Sequence, residues 1–220
     1  MAFQTKEDQV AEFLREGIIG GRFARGEKLK QVEIAELLGT SVTPVREALK
    51  LLEAEGYVRG ASHRGAVVAP FEIESVEEIV ELRVALEGRL MAAALKRVEK
   101  RDIDELIAVQ AELDRAVEER DREAVRPLNY RFHQRLYAVA DQPQTLEFVR
   151  ILWAKYPFDV INRIAGRIER AASEHRAILK AMTMRDEVAA LSALTEHLRS
   201  GWIEYRGSAT AQDEAATGQD

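Results

Sequence analysis

The sequence predicts a mainly α-helical protein with an N-terminal winged helix-turn-helix and a C-terminal all-α helical bundle. Two observations support this fold class. The first 70 residues contain three short helical patterns and then a β-prone hairpin, which is the order of a winged helix-turn-helix. From residue 75 onward, apolar residues recur at helical spacing in one segment after another. The length of 220 residues accommodates two such domains.

Residues 1–70 form the predicted N-terminal domain. Glycines close each of its helical patterns, and β-prone residues flank a polar, glycine-containing turn. We expect three helices and the two strands of a wing, at 6–20, 31–38, 43–55, 57–59 and 66–68. Thr40 and Ser41 offer side-chain oxygens that can cap the third helix.

The remainder of the chain is predicted as a linker at 71–74, an all-helical domain at 75–206 and a disordered tail at 207–220, which is small, polar and acidic. A capping box at Ser75 to Glu78 should start the first helix of this domain. Six helices are expected, at 75–97, 102–119, 121–140, 143–165, 168–184 and 186–206. Pro127 should kink or split the third of them.

Composition excludes several classes of protein. The chain has no cysteine, so disulfides and thiolate chemistry are excluded. It has neither a signal peptide nor an apolar run long enough to span a membrane, so we expect a cytoplasmic protein without membrane partners. The net charge is −6, but residues 1–70 carry 10 basic and 10 acidic residues. DNA affinity must therefore come from the local placement of basic side chains.

The third predicted helix has the pattern of a DNA-reading helix. Its apolar stripe runs through Val45, Leu49 and Leu52, and its opposite face carries Thr43, Arg46, Glu47 and Lys50. In the major groove, Arg46 can pair with guanine or a phosphate, and Lys50 can reach the backbone. The alternative is an ordinary solvated face, which the surrounding helices and hairpin disfavour.

The wing offers a second candidate contact. His63 and Arg64 place cations beside Gly65, which allows the backbone to approach a groove closely. An ordinary exposed hairpin tip is the alternative.

The run LGTSVTPVREALKLLEAEGYV at 38–58 resembles the signature of the GntR family of bacterial regulators. The resemblance implies that the threonine and arginine at Thr43 and Arg46 contact DNA, and that Gly65 enters the minor groove. Pro44 belongs to the same motif and is included in the expected DNA-binding set. Members often carry arginine where this chain has Val32 and Val42, so two common DNA contacts are missing.

Three of the four histidines lie on apolar stripes of different predicted helices. They are His133, His175 and His197, and Asn129 precedes the first by one helical turn. Inward imidazoles on facing helices commonly bind metals, so we expect a divalent metal, with zinc first and nickel, iron or manganese as alternatives. A structural, metal-free histidine cluster is the main rival. A metal-dependent hydrolase is disfavoured because we identify no inward general base and because the first 70 residues would be unexplained.

Arg83 is anomalous because it lies in the middle of a buried stripe. A buried guanidinium needs a partner, and Glu87 stands one turn away. The structural interpretation is an Arg83–Glu87 pair. The functional interpretation is that the Arg83 guanidinium makes a bidentate contact with a ligand carboxylate, and that ligand binding breaks or loosens the Arg83–Glu87 pair.

The C-terminal half resembles the FCD effector domain of the FadR-like branch of the GntR family. The resemblance rests on ELRVALEG (81–88), NYRFHQRLYAVA (129–140), SEHRAIL (173–179) and EHL (196–198). It implies that Asn129, His133, His175 and His197 bind metal and that Arg83 holds an organic acid. Relatives frequently carry aspartate at the place of Asn129.

Together these patterns predict a homodimeric, ligand-responsive transcription regulator, more often a repressor in this family. A symmetric dimer of helix-turn-helix heads should read a palindromic operator. A small organic acid in the metal-containing cavity should change operator affinity.

Overall fold

A computed structural model describes residues 5–62, 65–161 and 164–217, so the wing-tip candidates His63 and Arg64 lie outside the described residues. The fold class is confirmed: helices dominate, with one small sheet. The N-terminal elements are α1 (Lys6–Gly20), β1 (Lys28–Leu29), α2 (Gln31–Leu37), α3 (Val42–Ala54), β2 (Val58–Ser62) and β3 (Gly65–Val68). A 3₁₀ turn follows at Ile73–Ser75. The C-terminal elements are α4 (Val76–Arg97), α5 (Lys100–Glu118), α6 (Arg122–Ala138), α7 (Pro143–Lys155), α8 (Phe158–Ile161), α9 (Arg167–Thr183) and α10 (Glu187–Thr217).

The predicted hairpin is present, and a third strand joins it. The antiparallel order is β1-β3-β2, with Lys28 opposite Val67 and Val58 opposite Val68. Gly65 starts β3 with φ +114°, and a Cβ there would stand 2.0 Å from the Leu29 carbonyl oxygen. Glycine is therefore required by the sheet itself, whatever the wing does at DNA.

The helix caps differ from the expectation. A capping box forms at Thr5 and Asp8, whereas the expected box at Ser75 does not form. Ser75 already has helical dihedrals in the 3₁₀ turn that leads into α4, so its backbone lacks the extended N-cap geometry from which the side chain can cap the helix. Ser41 occupies the N-cap of α3 without a side-chain cap bond.

The predicted helix 143–165 is wrong. Pro157 forces its predecessor out of the helical region, and Tyr156 accordingly ends α7 with extended dihedrals. The short helix α8 follows. Because of this break, Tyr156 and Phe158 line a cavity that Arg83 and His133 also line. By contrast, Pro127 does not split α6, which contains this residue and continues from Arg122 to Ala138.

The boundary expected at 206 is also corrected. Helix α10 continues to Thr217, through most of the segment for which we expected disorder. Alanine, glutamine and glutamate in this segment are strong helix formers, and they extend a helix that is already nucleated.

The two halves share one continuous apolar core. Within the N-terminal half, Arg15 of α1 donates two hydrogen bonds to Glu55, at 2.6 and 2.7 Å, which fixes α1 against the end of α3. Across the halves, the Tyr130 hydroxyl of α6 donates to Glu12 at 3.0 Å, and the Tyr57 hydroxyl donates to the Arg150 carbonyl at 3.0 Å. The N-terminal half is thereby fixed against α6 and α7. Among the described residues, we find no helix with the length and apolarity to cross a membrane.

Candidate functional site

Three predicted metal-binding histidines converge in the helical half. His133 comes from α6, His175 from α9 and His197 from α10, and all three are buried. The His133 Nε2 atom lies 3.0 Å from Nε2 of His197 and 3.2 Å from Nε2 of His175. The sequence prediction that these three side chains meet is confirmed.

The outer nitrogen of His197 faces a carboxylate. Its Nδ1 lies 2.8 Å from Oε2 of Glu174, which also accepts two hydrogen bonds from Arg167, at 2.8 and 2.7 Å. Burial raises the pKa of Glu174, but the bonds from Arg167 and His197 outweigh it and bring the pKa to about 2. Glu174 is therefore an ionised acceptor, and His197 carries its proton on Nδ1.

The outer nitrogen of His175 faces an amide oxygen. Its Nδ1 lies 3.2 Å from Oε1 of Gln110. The Gln110 amide group donates to Asp114 at 2.8 Å and to the Ala172 carbonyl at 3.3 Å, so its oxygen is the end that faces His175. This arrangement places the proton of His175 on Nδ1 as well.

The outer nitrogen of His133 faces the Tyr137 hydroxyl, which donates its own proton to another residue. The Tyr137 hydroxyl donates to Glu87 at 2.6 Å, so its oxygen accepts from Nδ1 of His133 at 3.3 Å. All three imidazoles therefore carry their protons on Nδ1. In this tautomer Nε2 is the unprotonated nitrogen, and Nε2 of His133 lies against Nε2 of His197 and Nε2 of His175.

The electrostatics keep these imidazoles in their neutral form. Burial lowers the pKa of His133 and of His175 well below the ordinary histidine value. Burial also lowers the pKa of His197, against the opposing effect of Glu174. Neutral imidazole is the form that binds metal ions.

The donor set fits a divalent metal. Metal–nitrogen bonds of about 2.0–2.1 Å around one ion imply nitrogen–nitrogen separations of about 2.8–3.4 Å for tetrahedral or octahedral angles. The two measured Nε2 separations, 3.0 and 3.2 Å, fall in this range. A central cation would also remove the repulsion between the facing lone pairs.

Beside the histidines lies a small cavity of about 40 Å³. Asn129, the fourth predicted metal ligand, lines it together with His133 and His197. Arg83 lines the same cavity, so the structure brings the predicted effector residue and metal ligands to one place. The other wall residues are Tyr156, Phe158, Ile161, Arg167, Ala171, Leu198 and Gly201.

The predicted Arg83–Glu87 pair is present, but it has more partners than expected. Arg83 donates from Nε to Glu87 at 2.7 Å, and Trp153 donates to the same carboxylate at 3.0 Å. The guanidinium also lies over the Tyr156 ring, 4.4 Å from its centroid. Because Glu87 engages Nε, this pair does not use the two terminal amino groups that fork onto carboxylates.

Sequence reasoning missed the outer partners and much of the cavity wall. Glu174 directly precedes His175, and Pro157 was a visible signal that a helix ends beside Tyr156. Gln110 had a weaker signal, as an uncharged polar residue on the buried face of α5. Nothing in the local sequence indicates that Gly201 faces a cavity.

The DNA-facing candidates are displayed by α3. Thr43 and Lys50 are exposed, and Arg46 is partly exposed. Arg46 and Lys50 each lie 3.2 Å from Glu47, in contacts at the surface that can exchange for phosphate or base partners. Pro44 differs because it is buried in the first turn, where a missing N–H costs nothing, so its position suits starting the helix.

Two exposed apolar side chains lie near this face. Val32 is 57% exposed and Val42 is 38% exposed, at the positions where GntR members often carry arginine. Apolar side chains of this kind can contact thymine methyl groups but cannot neutralise phosphates.

Two family profiles match consecutive parts of the chain. The profile described as "Bacterial regulatory proteins, gntR family" matches residues 6–68, and the profile of the FCD domain matches residues 78–200. Among curated proteins, a "Probable D-xylose utilization operon transcriptional repressor" of Paenarthrobacter nicotinovorans is 30% identical over 88% of this chain and 86% of its own length. The Nta operon transcriptional regulator of Aminobacter aminovorans is 29% identical over 86% of this chain and 90% of its own length.

Solved structures have the same fold. The structure of Escherichia coli McbR/YncC matches with a TM-score of 0.79 and 24% identity, covering 93% of this chain and 99% of that one. A GntR regulator from Rhodococcus sp. RHA1 matches with a TM-score of 0.67 and 23% identity, covering 91% and 97%. The chain therefore belongs to the GntR family of bacterial transcription regulators, DNA-binding proteins rather than enzymes, and carries an FCD domain.

Proposed function

We propose that this regulator senses a small organic acid in a cavity that also holds a divalent metal. The observation that carries the proposal is the arrangement of the three histidines. Glu174, Gln110 and Tyr137 place acceptor oxygens against the three Nδ1 atoms, and Nε2 of His133 lies 3.0 Å from Nε2 of His197 and 3.2 Å from Nε2 of His175. A metal-free cluster would have to move a proton to one Nε2 atom, which sacrifices an outer hydrogen bond.

His133, His175 and His197 would hold the metal, with Asn129 of the same cavity wall as a neutral fourth ligand. Imidazole ligands suit zinc, and also nickel or iron, whereas manganese would depend on oxygen ligands such as the Asn129 amide oxygen and water. Because all four ligands are neutral, the divalent metal would keep its full positive charge, which favours an anionic ligand at an open coordination position.

Arg83 supplies the second positive centre. It is 3% exposed and is fixed by Glu87 and the Tyr156 ring. Its terminal amino groups remain suited to a bidentate contact with a carboxylate. In contrast to the expectation from sequence, we propose that the Arg83–Glu87 pair persists when the acid binds, because Trp153 and Tyr137 also fix Glu87 in place.

The experiment that tests this function is a thermal-shift screen of organic acids on metal-loaded protein. We expect one class of acids to raise the melting temperature of wild type and to change its operator affinity. Arg83→Ala should lose both responses and keep operator binding without ligand. As a control, Arg89→Ala removes an exposed arginine of the same helix and should respond like wild type. A stabilising ligand without charge, or an undiminished response in Arg83→Ala, would refute acid sensing.

The DNA-binding role of α3 is proposed from Thr43, Arg46 and Lys50, with Arg46 reading bases or phosphate and Lys50 the backbone. His63, Arg64 and Gly65 are proposed as the wing contact, and Pro44 as the residue that positions the start of α3. The Paenarthrobacter relative is named as a transcriptional repressor. We accordingly propose repression that the acid relieves.

A homodimer is proposed because a palindromic operator has two half-sites, and each half-site binds one helix-turn-helix domain. The outer faces of α4 and α10 carry exposed apolar side chains, with Leu82 at 44%, Ile203 at 63% and Val188 at 80% exposure. We propose that a second copy covers this surface. Light scattering on purified protein should give twice the chain mass, and Ile203→Glu should reduce it to one chain mass.

A direct connection between cavity and DNA-binding half supports the allosteric part of the proposal. Arg25, in the loop between α1 and β1, donates to the Ala154 carbonyl at 3.0 Å and to the Tyr156 carbonyl at 3.3 Å. The same guanidinium donates to the Ala69 carbonyl, just beyond β3, at 2.9 Å. A shift of Tyr156 on ligand binding would therefore move Arg25, and with it the segment before β1 and the segment after β3.

A further inference from the structure

The wing strand β2 contains a bulge. The register of β2 against β3 shifts between Arg59 and Ser62, so that Gly60 and Ala61 stand opposite a single residue of β3. Gly60 has φ +67°, in the left-handed region, and a Cβ there would meet nothing within 4 Å. Glycine at this position therefore serves the backbone conformation. A bulge of this kind bends and twists its strand, so it sets the direction in which the wing projects.

A carboxylate of α3 contacts this bulge. The backbone N–H of Ala61 donates to Oε1 of Glu53, close to the C-terminal end of α3, at 3.0 Å. A bulge leaves one residue without a partner in the strand ladder, and carboxylates are strong acceptors of backbone N–H groups. The Ala61 side chain also packs against the core. The bent part of the wing is thereby joined to the helix that carries the DNA-facing candidates.

The charge of Glu53 gives no reason of its own for a glutamate at this place. Glu53 is exposed and lies three residues after Lys50, so the two side chains are neighbours on the surface of α3. Lys50 is the residue for which we propose a contact with the DNA backbone. A carboxylate beside that contact repels phosphates, so its benefit must come from the hydrogen bond to the wing.

We propose that Glu53 is a positioning residue that fixes the angle between α3 and the wing, so that both contact DNA at the same time. This inference rests on the wing contact proposed above. A wing that is already fixed in the free protein does not have to be ordered when the protein binds DNA. That saving in conformational entropy appears as higher operator affinity.

Three variants separate the reach of the Glu53 side chain from its charge. Glu53→Gln keeps the length and the acceptor oxygen but removes the charge, whereas Glu53→Asp keeps the charge and is one methylene shorter. Glu53→Ala removes both. The probe is a DNA duplex selected from a random pool by the wild-type protein, titrated without effector at several salt concentrations. Glu36→Ala, which removes an exposed carboxylate from α2, is the control.

We expect DNA affinity to follow reach. Glu53→Gln should bind within about twofold of wild type, and Glu53→Asp and Glu53→Ala should bind about tenfold more weakly. The melting temperatures should stay close to that of wild type, because the contact is exposed. Arg64→Ala should weaken DNA binding of the wild type and have a smaller effect in the Glu53→Ala background, since a displaced wing has already lost its contacts.

Wild-type affinity in both Glu53→Asp and Glu53→Ala would overturn the role of Glu53 and leave the wing contact standing. Affinity that follows charge, with Glu53→Gln and Glu53→Ala both tighter and Glu53→Asp like wild type, would overturn it as well. An equal cost of Arg64→Ala in both backgrounds would show that Glu53 does not act through the wing. If Arg64→Ala has no effect on the wild type, the proposed wing contact fails and this inference fails with it. If Glu53→Ala does not fold, the comparison of Glu53→Gln with Glu53→Asp decides.

Discussion

The proposed DNA-facing surface of α3 and the histidine cavity differ in how far apart their residues lie in the sequence. Thr43, Arg46 and Lys50 fall within eight consecutive residues of one helix and are open to solvent. The cavity takes its walls from five helices and the segment around Pro157, and its histidines are buried. A surface made by one helix depends on helical periodicity alone, whereas a cavity depends on how helices pack.

The largest expected effect is at the centre of the cavity. We expect His175→Ala to abolish metal binding, because the two remaining imidazoles and Asn129 cannot supply three histidine ligands. Chelation should lower the melting temperature of wild type and leave that of His175→Ala unchanged, since a ligand of the folded state stabilises it by mass action. Metal analysis of protein purified without chelator at neutral pH provides the measurement, with the exposed Lys180→Ala as control. Wild-type protein without metal would contradict the site.

A smaller loss of metal affinity is expected from a change at Glu174, which contacts Nδ1 of His197. Glu174→Gln keeps the shape but removes the charge that fixes the proton of His197 on Nδ1. Loss of such an outer partner commonly weakens metal affinity by about 10–100-fold. Competition titrations with a chromogenic chelator measure this, and Glu169→Gln, exposed on the same helix, should match wild type. Unchanged metal affinity in Glu174→Gln would show that the Glu174 carboxylate does not select the tautomer of His197.

On the DNA-facing surface, one side chain acts almost independently of its neighbours. Arg46→Ala should cost about 1–3 kcal/mol of operator binding without loss of stability, because its contacts within the protein are superficial. Lys50→Ala should weaken all DNA sequences evenly and reduce the salt slope by about one. Operator titrations at several salt concentrations separate the two. Wild-type affinity in Arg46→Ala at moderate salt would contradict the reading-helix role.

The smallest effect tests whether the two regions communicate. Arg25→Ala should leave acid binding and operator binding without acid in place, and reduce the change in operator affinity that the acid produces. Coupling energies between sites are typically about 1–3 kcal/mol, and we expect part of this to be lost. Arg22→Ala serves as control because that nearby guanidinium lies over Phe13 instead. Full coupling in Arg25→Ala would place the communication elsewhere.

The corrections fall where tertiary context decided the outcome. The predicted helix 143–165 failed at Pro157, a signal that was present and overlooked. The strand β1, two residues long, has no periodicity of its own and forms because β3 offers it a free edge. The missing cap at Ser75 reflects a 3₁₀ turn that no side-chain pattern announced.

The sequence by itself determined the fold class, the division of α3 into a buried and an exposed face, and the inward direction of the histidines and Arg83. These follow from helical periodicity, which is a local property. Only the tertiary structure decided that Glu174, Gln110 and Tyr137 lie against the Nδ1 atoms of the three imidazoles, and that Tyr156 and Gly201 border the same cavity as Arg83. Such contacts join helices far apart in the chain. Their distances depend on packing angles and on where each helix ends, which no single segment specifies.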